Sequence, residues 1–150
     1  MAISAGERVF VDTKVLVHAS AISSPLHQAA DRELQAVRGA QAELWTSRQV
    51  LREYVAVLSR PQSFSHPVPV STLVTDVRYF QSVFQIANED STVTAELLQL
   101  LTSVAIGGKQ VHDANIVATM LARQITTLLT ANVADFQRFA SLITIAALIP

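Results

Sequence analysis

The stretch RVFVDTKVLVHAS, residues 8–20, decides the interpretation of the chain. Its first four residues, Arg8–Val11, are predicted to form a strand. The apolar residues in it are consecutive rather than alternating, which is typical of a strand buried on both faces. Asp12 and Lys14 then interrupt the apolar run. Functional groups of open α/β sheets collect beyond the carboxyl ends of the strands, so Asp12 lies where a functional acid is expected.

The rest of the chain alternates between helical and strand patterns. Helices are predicted within residues 23–40, 47–60, 70–83, 91–108 and 111–124, and further strands within 42–47, 84–87, 126–132 and 142–148. Ser24 and Ser47 are expected to cap the first two helices, and Gly107 with Gly108 to stop the fourth. A loop is predicted over residues 60–70, which contain three prolines, and a turn or short helix over 133–140. This alternation predicts an α/β fold with a central, mostly parallel sheet flanked by helices.

Composition limits the classes of function. A chain of 150 residues is expected to form one domain, residues 1–150. Half of the residues are hydrophobic and only 15% are charged, which favours a homodimer or a tightly bound partner. No segment predicts a membrane helix or a signal peptide, and the lack of cysteine excludes disulfides and fits a cytoplasmic protein. The net charge of −1 means that nucleic-acid binding would need a local basic patch or bound cations.

Two further acids lie at the edges of apolar helix faces. Asp113 shares a helical stripe with Ile116, Val117 and Met120, so it is expected to point inward as well as to complement the helix dipole. Glu53 borders the apolar stripe of an earlier helix. Each position has a simpler explanation, as a helix-terminal acid or as a boundary residue that reaches into water.

A polar cluster follows the strand that ends at Thr130, where Asn132 and Asp135 come next. An Asx-type turn alone would explain these two residues. Taken together, however, acids after two strands and at two helix edges indicate a carboxylate cluster, and such a cluster needs a cation among its charges. Hard oxygen ligands suit Mg²⁺ or Mn²⁺, which points to metal-activated water attacking a phosphodiester.

The motifs also resemble those of a known family. VFVDTKVLVHA is similar to the opening DTNVLVYA of PIN-domain nucleases, and SRQVLREYVAVLSRP resembles their second motif. VHDANIVATMLARQITTLLTANVADFQRF resembles their third and fourth motifs, so the resemblance extends over residues 8–145. It implies a PIN-like α/β/α domain that acts as a Mg²⁺- or Mn²⁺-dependent endoribonuclease. In its size and lack of extra domains, the chain resembles the toxin of a VapBC-type toxin–antitoxin pair. This resemblance implies a homodimer inhibited by a small, often DNA-binding antitoxin.

The resemblance also implies roles for single residues. Asp12 and Asp113 match the principal metal ligands, and Glu53 matches the acid that completes the pocket as a ligand or as an orienter of water. The fourth acid of many members stands at the position of Asn132, but the TxNxxDF pattern favours Asp135 here.

Supporting positions follow from the same motifs. Thr130 and Asn132 are expected to assist through hydrogen bonds. Lys14 stands where the family usually has Asn, and its charge could replace part of a cation, weaken metal binding, contact RNA phosphate or turn away. Candidates for an RNA-facing basic patch are Arg48, Arg52, Lys109 and Arg138.

Other acid-pocket proteins fit less well. A response-regulator receiver domain needs an acid pair after the first strand and a late lysine, and no lysine follows Lys109. A haloacid dehalogenase phosphatase needs DxDxT, which DTK does not match. The serious alternative is a PIN-like binding protein with an impaired site, and the grounds for it are Lys14 and the fourth acid position, where Asn132 or Asp135 could stand.

Overall fold

A computed structural model describes residues 3–150 of the protein. Within this part of the chain, the strands form a sheet in the order β3-β2-β1-β4-β5 with every pairing parallel. The predicted α/β class with a mostly parallel sheet is therefore confirmed. The strand bounds are β1 Arg8–Val11, β2 Glu43–Ser47, β3 Gln85–Ala87, β4 Thr127–Thr130 and β5 Thr144–Ala147.

Helices cover the sheet in a three-layer α/β/α arrangement. Among residues 3–150, no helix is long and apolar enough to cross a membrane. The helix bounds are α1 Thr13–Ser20, α2 His27–Gly39, α3 Arg48–Leu58, α4 Val70–Val83, α5 Ser91–Ser103, α6 Gln110–Ala122 and α7 Val133–Phe136, and a 3-10 turn follows α7 at Gln137–Phe139.

Strand β1 lies in the middle of the sheet, between β2 and β4. Val9, Phe10 and Val11 have no exposed surface, because strands cover both edges of β1 and helices cover both faces. This accounts for the unbroken apolar run in the sequence. The carboxyl end of β1 therefore lies in the middle of the sheet edge at which the strands end. Asp12 follows it there as the N-cap of α1.

The structure differs from the prediction at three helices, α1, α2 and α5. The helix α1 was not predicted, because its apolar residues follow the strand almost directly. Helix α2 begins at His27 without a side-chain cap, so the predicted N-cap role of Ser24 is wrong. The Ser24 hydroxyl instead accepts a hydrogen bond from the Leu26 amide at 3.1 Å and bonds to Nδ1 of His18 at 2.6 Å.

Helix α5 ends at Ser103, before the predicted glycine stop. Val104 is extended, and both Val104 and Ile106 pack against the core, which a continued helix would not allow. Gly107 and Gly108 form the turn that precedes α6, and Gly108 has a φ of +57° that favours glycine.

The cap of α3 gives a stability prediction. The Ser47 hydroxyl accepts a hydrogen bond from the Val50 amide at 3.3 Å, which satisfies one free donor of the helix end. We expect Ser47→Ala to lower the free energy of unfolding by ~1 kcal/mol. Chemical denaturation measures it, and Ser63→Ala in the exposed loop before α4 is the control. An equal effect of the two substitutions would contradict the capping role.

Candidate functional site

The site is built around Asp12, whose residue surface is only 7% exposed. Asp12 is the N-cap of α1, and its Oδ1 accepts a hydrogen bond from the Thr13 amide at 2.8 Å. Its Oδ2 accepts a hydrogen bond from the Thr130 hydroxyl at 2.8 Å, across from the end of β4. The carboxylate is thus fixed from two neighbouring strand ends.

Glu53 lies on α3 and is held through both of its oxygens. Oε2 accepts a hydrogen bond from the Thr13 hydroxyl at 2.7 Å. Oε1 accepts one from Nε2 of Gln49, one turn earlier on the same helix, at 2.9 Å. Thr13 therefore connects the two acids, because its amide bonds to Asp12 and its hydroxyl bonds to Glu53.

Asp113 lies in the first turn of α6 and is partly buried. Ile116, Val117 and Met120 on the same stripe are almost completely buried, so this side of the helix faces inward as the spacing predicts. Asp113 stands at the outer end of the buried stripe and reaches the cleft from the α6 side.

The fourth acid-bearing segment follows β4. Nδ2 of Asn132 donates a hydrogen bond to Oδ2 of Asp135 at 2.6 Å, and its backbone amide donates one to the Thr130 hydroxyl at 3.0 Å. Thr130 in turn donates to Asp12. Asn132 therefore supports a neighbouring carboxylate and carries no charge itself, while Asp135 brings the fourth charge to the cleft.

These segments line one cleft of 260 Å³ at the carboxyl ends of β1 and β4. All four predicted acids lie in its wall, together with Lys14 and Asn132 from the predicted supporting positions. The lining residues are Asp12, Thr13, Lys14, Glu53, Ala56, Val57, Arg60, Asp113, Asn132, Asp135 and Phe136.

Three contributors were not predicted from the sequence. Thr13 follows Asp12 directly, and a hydroxyl beside a strand-end acid is a signal that could have found it. Arg60 stands at the start of the predicted proline loop and lines the cleft. Gln49 lies one helical turn before Glu53, but its partners on α6 are visible only in the folded structure.

The clustering of the acids changes their affinity for protons. Burial raises the pKa of Asp12, with Glu53 and Asp135 adding repulsion, while the bonds from Thr130 and Thr13 oppose the rise. Burial likewise raises the pKa of Asp113 to about 6, reinforced by the charges of Asp135, Asp12 and Glu53. The site therefore concentrates negative charge beyond what the folded chain compensates.

The donor set fits a hard divalent cation. The cleft wall contains four carboxylates and no histidine, and a bound cation would offset the repulsion that adds to burial in raising the pKa values of Asp12 and Asp113. Within residues 3–150, no three His, Asp or Glu side chains stand close enough to ligate one ion together. Mg²⁺ is commonly held by one or two carboxylates with water in its other positions, so two of these acids suffice.

The predicted basic patch does not gather at the cleft. Arg48 donates a hydrogen bond to Asn88 at 2.8 Å, and Arg52 pairs with Glu89 at 3.4 Å. The guanidinium of Arg138 donates to the carbonyl oxygen of Ala105 at 3.1 Å, although its charge lowers the pKa of Asp113. Lys109 is exposed just before α6, outside the cleft wall. The cations that do line the cleft are Lys14 and Arg60.

The fold and the site define a class of proteins, namely parallel α/β/α domains with a carboxylate-lined cleft at the ends of the central strands. Comparison with protein families narrows this class, because the family model described as PIN domain matches residues 9–142. The chain belongs to the PIN domain family. The comparison with curated protein sequences gave no match.

Several solved structures share the fold. VapBC2 from Rickettsia felis, bound to a DNA fragment from its promoter, is 19% identical with a TM-score of 0.70, over 93% of this chain and 98% of that one. DNA-bound VapBC from Salmonella typhimurium is 16% identical with a TM-score of 0.67, over 95% and 99%. VapC20 from Mycobacterium tuberculosis, a sarcin-ricin loop cleaving toxin, is 18% identical with a TM-score of 0.60, over 80% and 86%.

The raised pKa of Asp113 predicts a pH-dependent stability. The folded state holds this proton more tightly than the unfolded state, whose pKa is near the ordinary 3.8. Stability is therefore lost as the pH rises from about 4 to about 6, and the penalty is complete above that range. In metal-free buffer at about pH 7.5, we expect Asp113→Asn to raise the free energy of unfolding by ~1–2 kcal/mol. This is less than the full pKa shift would give, because solvent screens the partly exposed carboxylate.

Denaturation at two pH values measures this effect. The gain should shrink at about pH 4, where the folded state holds the proton and the unfolded state has lost it only in part, so most of the penalty is absent. The control is Asp31→Asn, which is exposed on α2 outside the cleft and should change little at either pH. A gain for Asp113→Asn that does not depend on pH would contradict the electrostatic explanation.

Proposed function

We propose that the chain is a single PIN domain that acts as a divalent-metal-dependent endoribonuclease. The observation that carries the proposal is the convergence of four carboxylates, from four separate segments of the chain, on one cleft at the strand ends. Carboxylates repel each other, so bringing four of them together lowers the stability of the fold. Such clusters are therefore typical of functional sites. Hydrolysis of an RNA phosphodiester with a bound Mg²⁺ or Mn²⁺ is the function that fits this donor set best.

Each acid has a role in this proposal. Asp12 and Asp113 would hold the ion, which would supply an activated water and charge stabilisation at the phosphate. Glu53, fixed by Thr13 and Gln49, is placed to orient the attacking water by accepting its hydrogen bond. Asp135, held by Asn132, is the fourth acid of the cleft wall.

The biological role is proposed from the structural relatives. The structures from Rickettsia felis and Salmonella typhimurium are VapBC proteins bound to DNA, and the one from Mycobacterium tuberculosis is a sarcin-ricin loop cleaving toxin. On this basis, the chain is the toxin of a VapBC-type pair in the cytoplasm, inhibited by a small, DNA-binding antitoxin. The high apolar content and the exposed Ile22, Val70 and Ile149 support a homodimer or a partner complex.

Lys14 and Arg60 are proposed to contact RNA phosphates beside the cleaved bond. Both line the acidic cleft, and among residues 3–150 neither forms an ion pair with a carboxylate. The Arg60 side chain is oriented by a bond from its Nε to the Ala56 carbonyl oxygen at 3.0 Å. Two cations at the rim of an anionic cleft offset the repulsion between the carboxylates and a polyanionic substrate.

A second candidate function is binding without catalysis. The observation that favours it is that Lys14 lines the acidic cleft, where its positive charge would lower the affinity of the carboxylates for a cation. In that case the domain would act only through a partner complex.

Cleavage assays distinguish the two functions. We expect the purified chain, free of any antitoxin, to cleave RNA with Mg²⁺ or Mn²⁺ and to lose activity with EDTA. Asp113→Asn should lower the cleavage rate at least ~100-fold because a metal ligand is lost. Asp31→Asn is the matched control, with the same change in charge outside the cleft. Cleavage that survives both EDTA and Asp113→Asn would refute the metal mechanism, and no cleavage with no bound metal would favour the binding protein.

The salt dependence of RNA binding tests Lys14 and Arg60. In the Asp113→Asn background, we expect Lys14→Asn and Arg60→Gln each to reduce the slope of log affinity against log salt by about 0.7, one single-strand phosphate contact. Fluorescence anisotropy with labelled RNA between about 50 and about 300 mM salt measures this slope. Arg78→Gln, on the exposed side of α4, is the control and should leave the slope unchanged. If the cleft substitutions also leave it unchanged, neither side chain contacts phosphate.

A further inference from the structure

Gln49 is a buried polar residue beside the acidic cleft. It is the second residue of α3, it is only 5% exposed, and it does not line the cleft itself. A buried amide costs free energy unless its donors and acceptor are satisfied, so its partners indicate what it does there.

All three hydrogen-bonding functions of the Gln49 amide are used. Nε2 donates one bond to Oε1 of Glu53 at 2.9 Å and another to the carbonyl oxygen of His112 at 2.8 Å. Oε1 accepts a bond from Nδ2 of Asn115 at 2.8 Å. His112 and Asn115 lie on either side of Asp113 in the first turns of α6, so one side chain connects Glu53 to the segment that carries Asp113.

This connection joins two helices that otherwise pack elsewhere. Helix α3 packs mainly on α1, α4 and β2, whereas α6 packs mainly on α5 and α7. The polar bridge through Gln49 is thus a direct link between the acid of α3 and the acid of α6. It also restrains the Glu53 carboxylate at its first oxygen, while Thr13 holds the second oxygen.

We propose that Gln49 is a positioning residue of the site, which fixes the Glu53 carboxylate and sets its place relative to Asp113. The inference rests on the nuclease function proposed above and extends it to a residue outside the cleft wall. No other side chain of this size serves the same three partners. A glutamate would repel Glu53 and the His112 carbonyl group, an asparagine is one methylene shorter, and an apolar residue would leave the Asn115 amide without this partner.

Steady-state cleavage kinetics test the proposal with a double-mutant cycle. We expect Gln49→Met, which keeps the volume but removes the bonds, to lower kcat about 10-fold and to change KM for RNA less than about 2-fold. In the Glu53→Gln background the same substitution should cause almost no further loss, because the group that it positions has already been altered. Gln35→Met, an exposed helical glutamine on α2, is the control and should leave kcat unchanged.

Two results would overturn the proposal. A kcat that stays within about 2-fold of the wild type for Gln49→Met removes the positioning role. Independent losses in the double mutant would indicate a general structural effect instead.

A spectroscopic measurement separates this inference from the proposed nuclease function. At fixed pH and without metal, the carbon-13 resonance of the Glu53 carboxyl group should shift in Gln49→Met and stay in place in Gln35→Met. An unmoved Glu53 resonance contradicts the positioning role even if the wild type cleaves RNA. A wild type that cleaves no RNA refutes the nuclease function, and the resonance still decides whether Gln49 holds Glu53.

Discussion

The arrangement of the site depends on the carboxylate of Asp12, buried at the end of the central strand. Since β1 has strands on both sides, its carboxyl end lies in the middle of the sheet edge at which the strands end. Hydrogen bonds hold the Asp12 carboxylate there. The Thr13 amide and the Thr130 hydroxyl supply these bonds. Thr13 continues to Glu53, and Thr130 accepts from the Asn132 amide, so the segments that carry three of the acids are oriented from one buried group.

The energetic state of the cleft follows from this burial. Desolvation raises the pKa of Asp12 and Asp113, and their mutual repulsion and that of Glu53 and Asp135 add to the effect. The fold thus maintains an unfavourable concentration of charge, supported by a core that includes all of β1 beyond Arg8. Proteins commonly concentrate such groups where chemistry needs them, and a divalent cation converts the repulsion into binding energy.

Much of the fold and the acid set could be predicted from the sequence, because both depend on local patterns. Consecutive apolar residues marked the parallel strands, and helical spacing placed Asp113 inward. Helix α1 was missed because its apolar residues follow those of β1 almost directly, although Asp before such a run is also an N-cap signal. The roles of Gln49 and Arg60 could not be predicted, since they depend on partners distant in sequence. The contacts of Arg48 with Asn88 and of Arg52 with Glu89 could not be predicted either, because these partners are also distant in sequence.

The most direct test of this account is a calorimetric titration of the purified chain with Mn²⁺, repeated in buffers that differ in ionisation enthalpy. Because the pKa values of Asp12 and Asp113 are both raised, one ion should bind with release of protons at about pH 6 and with less release at about pH 8. Asp12→Asn should abolish this binding. Binding that releases no proton at either pH, or that persists in Asp12→Asn, would contradict the claim that these carboxylates form a metal site.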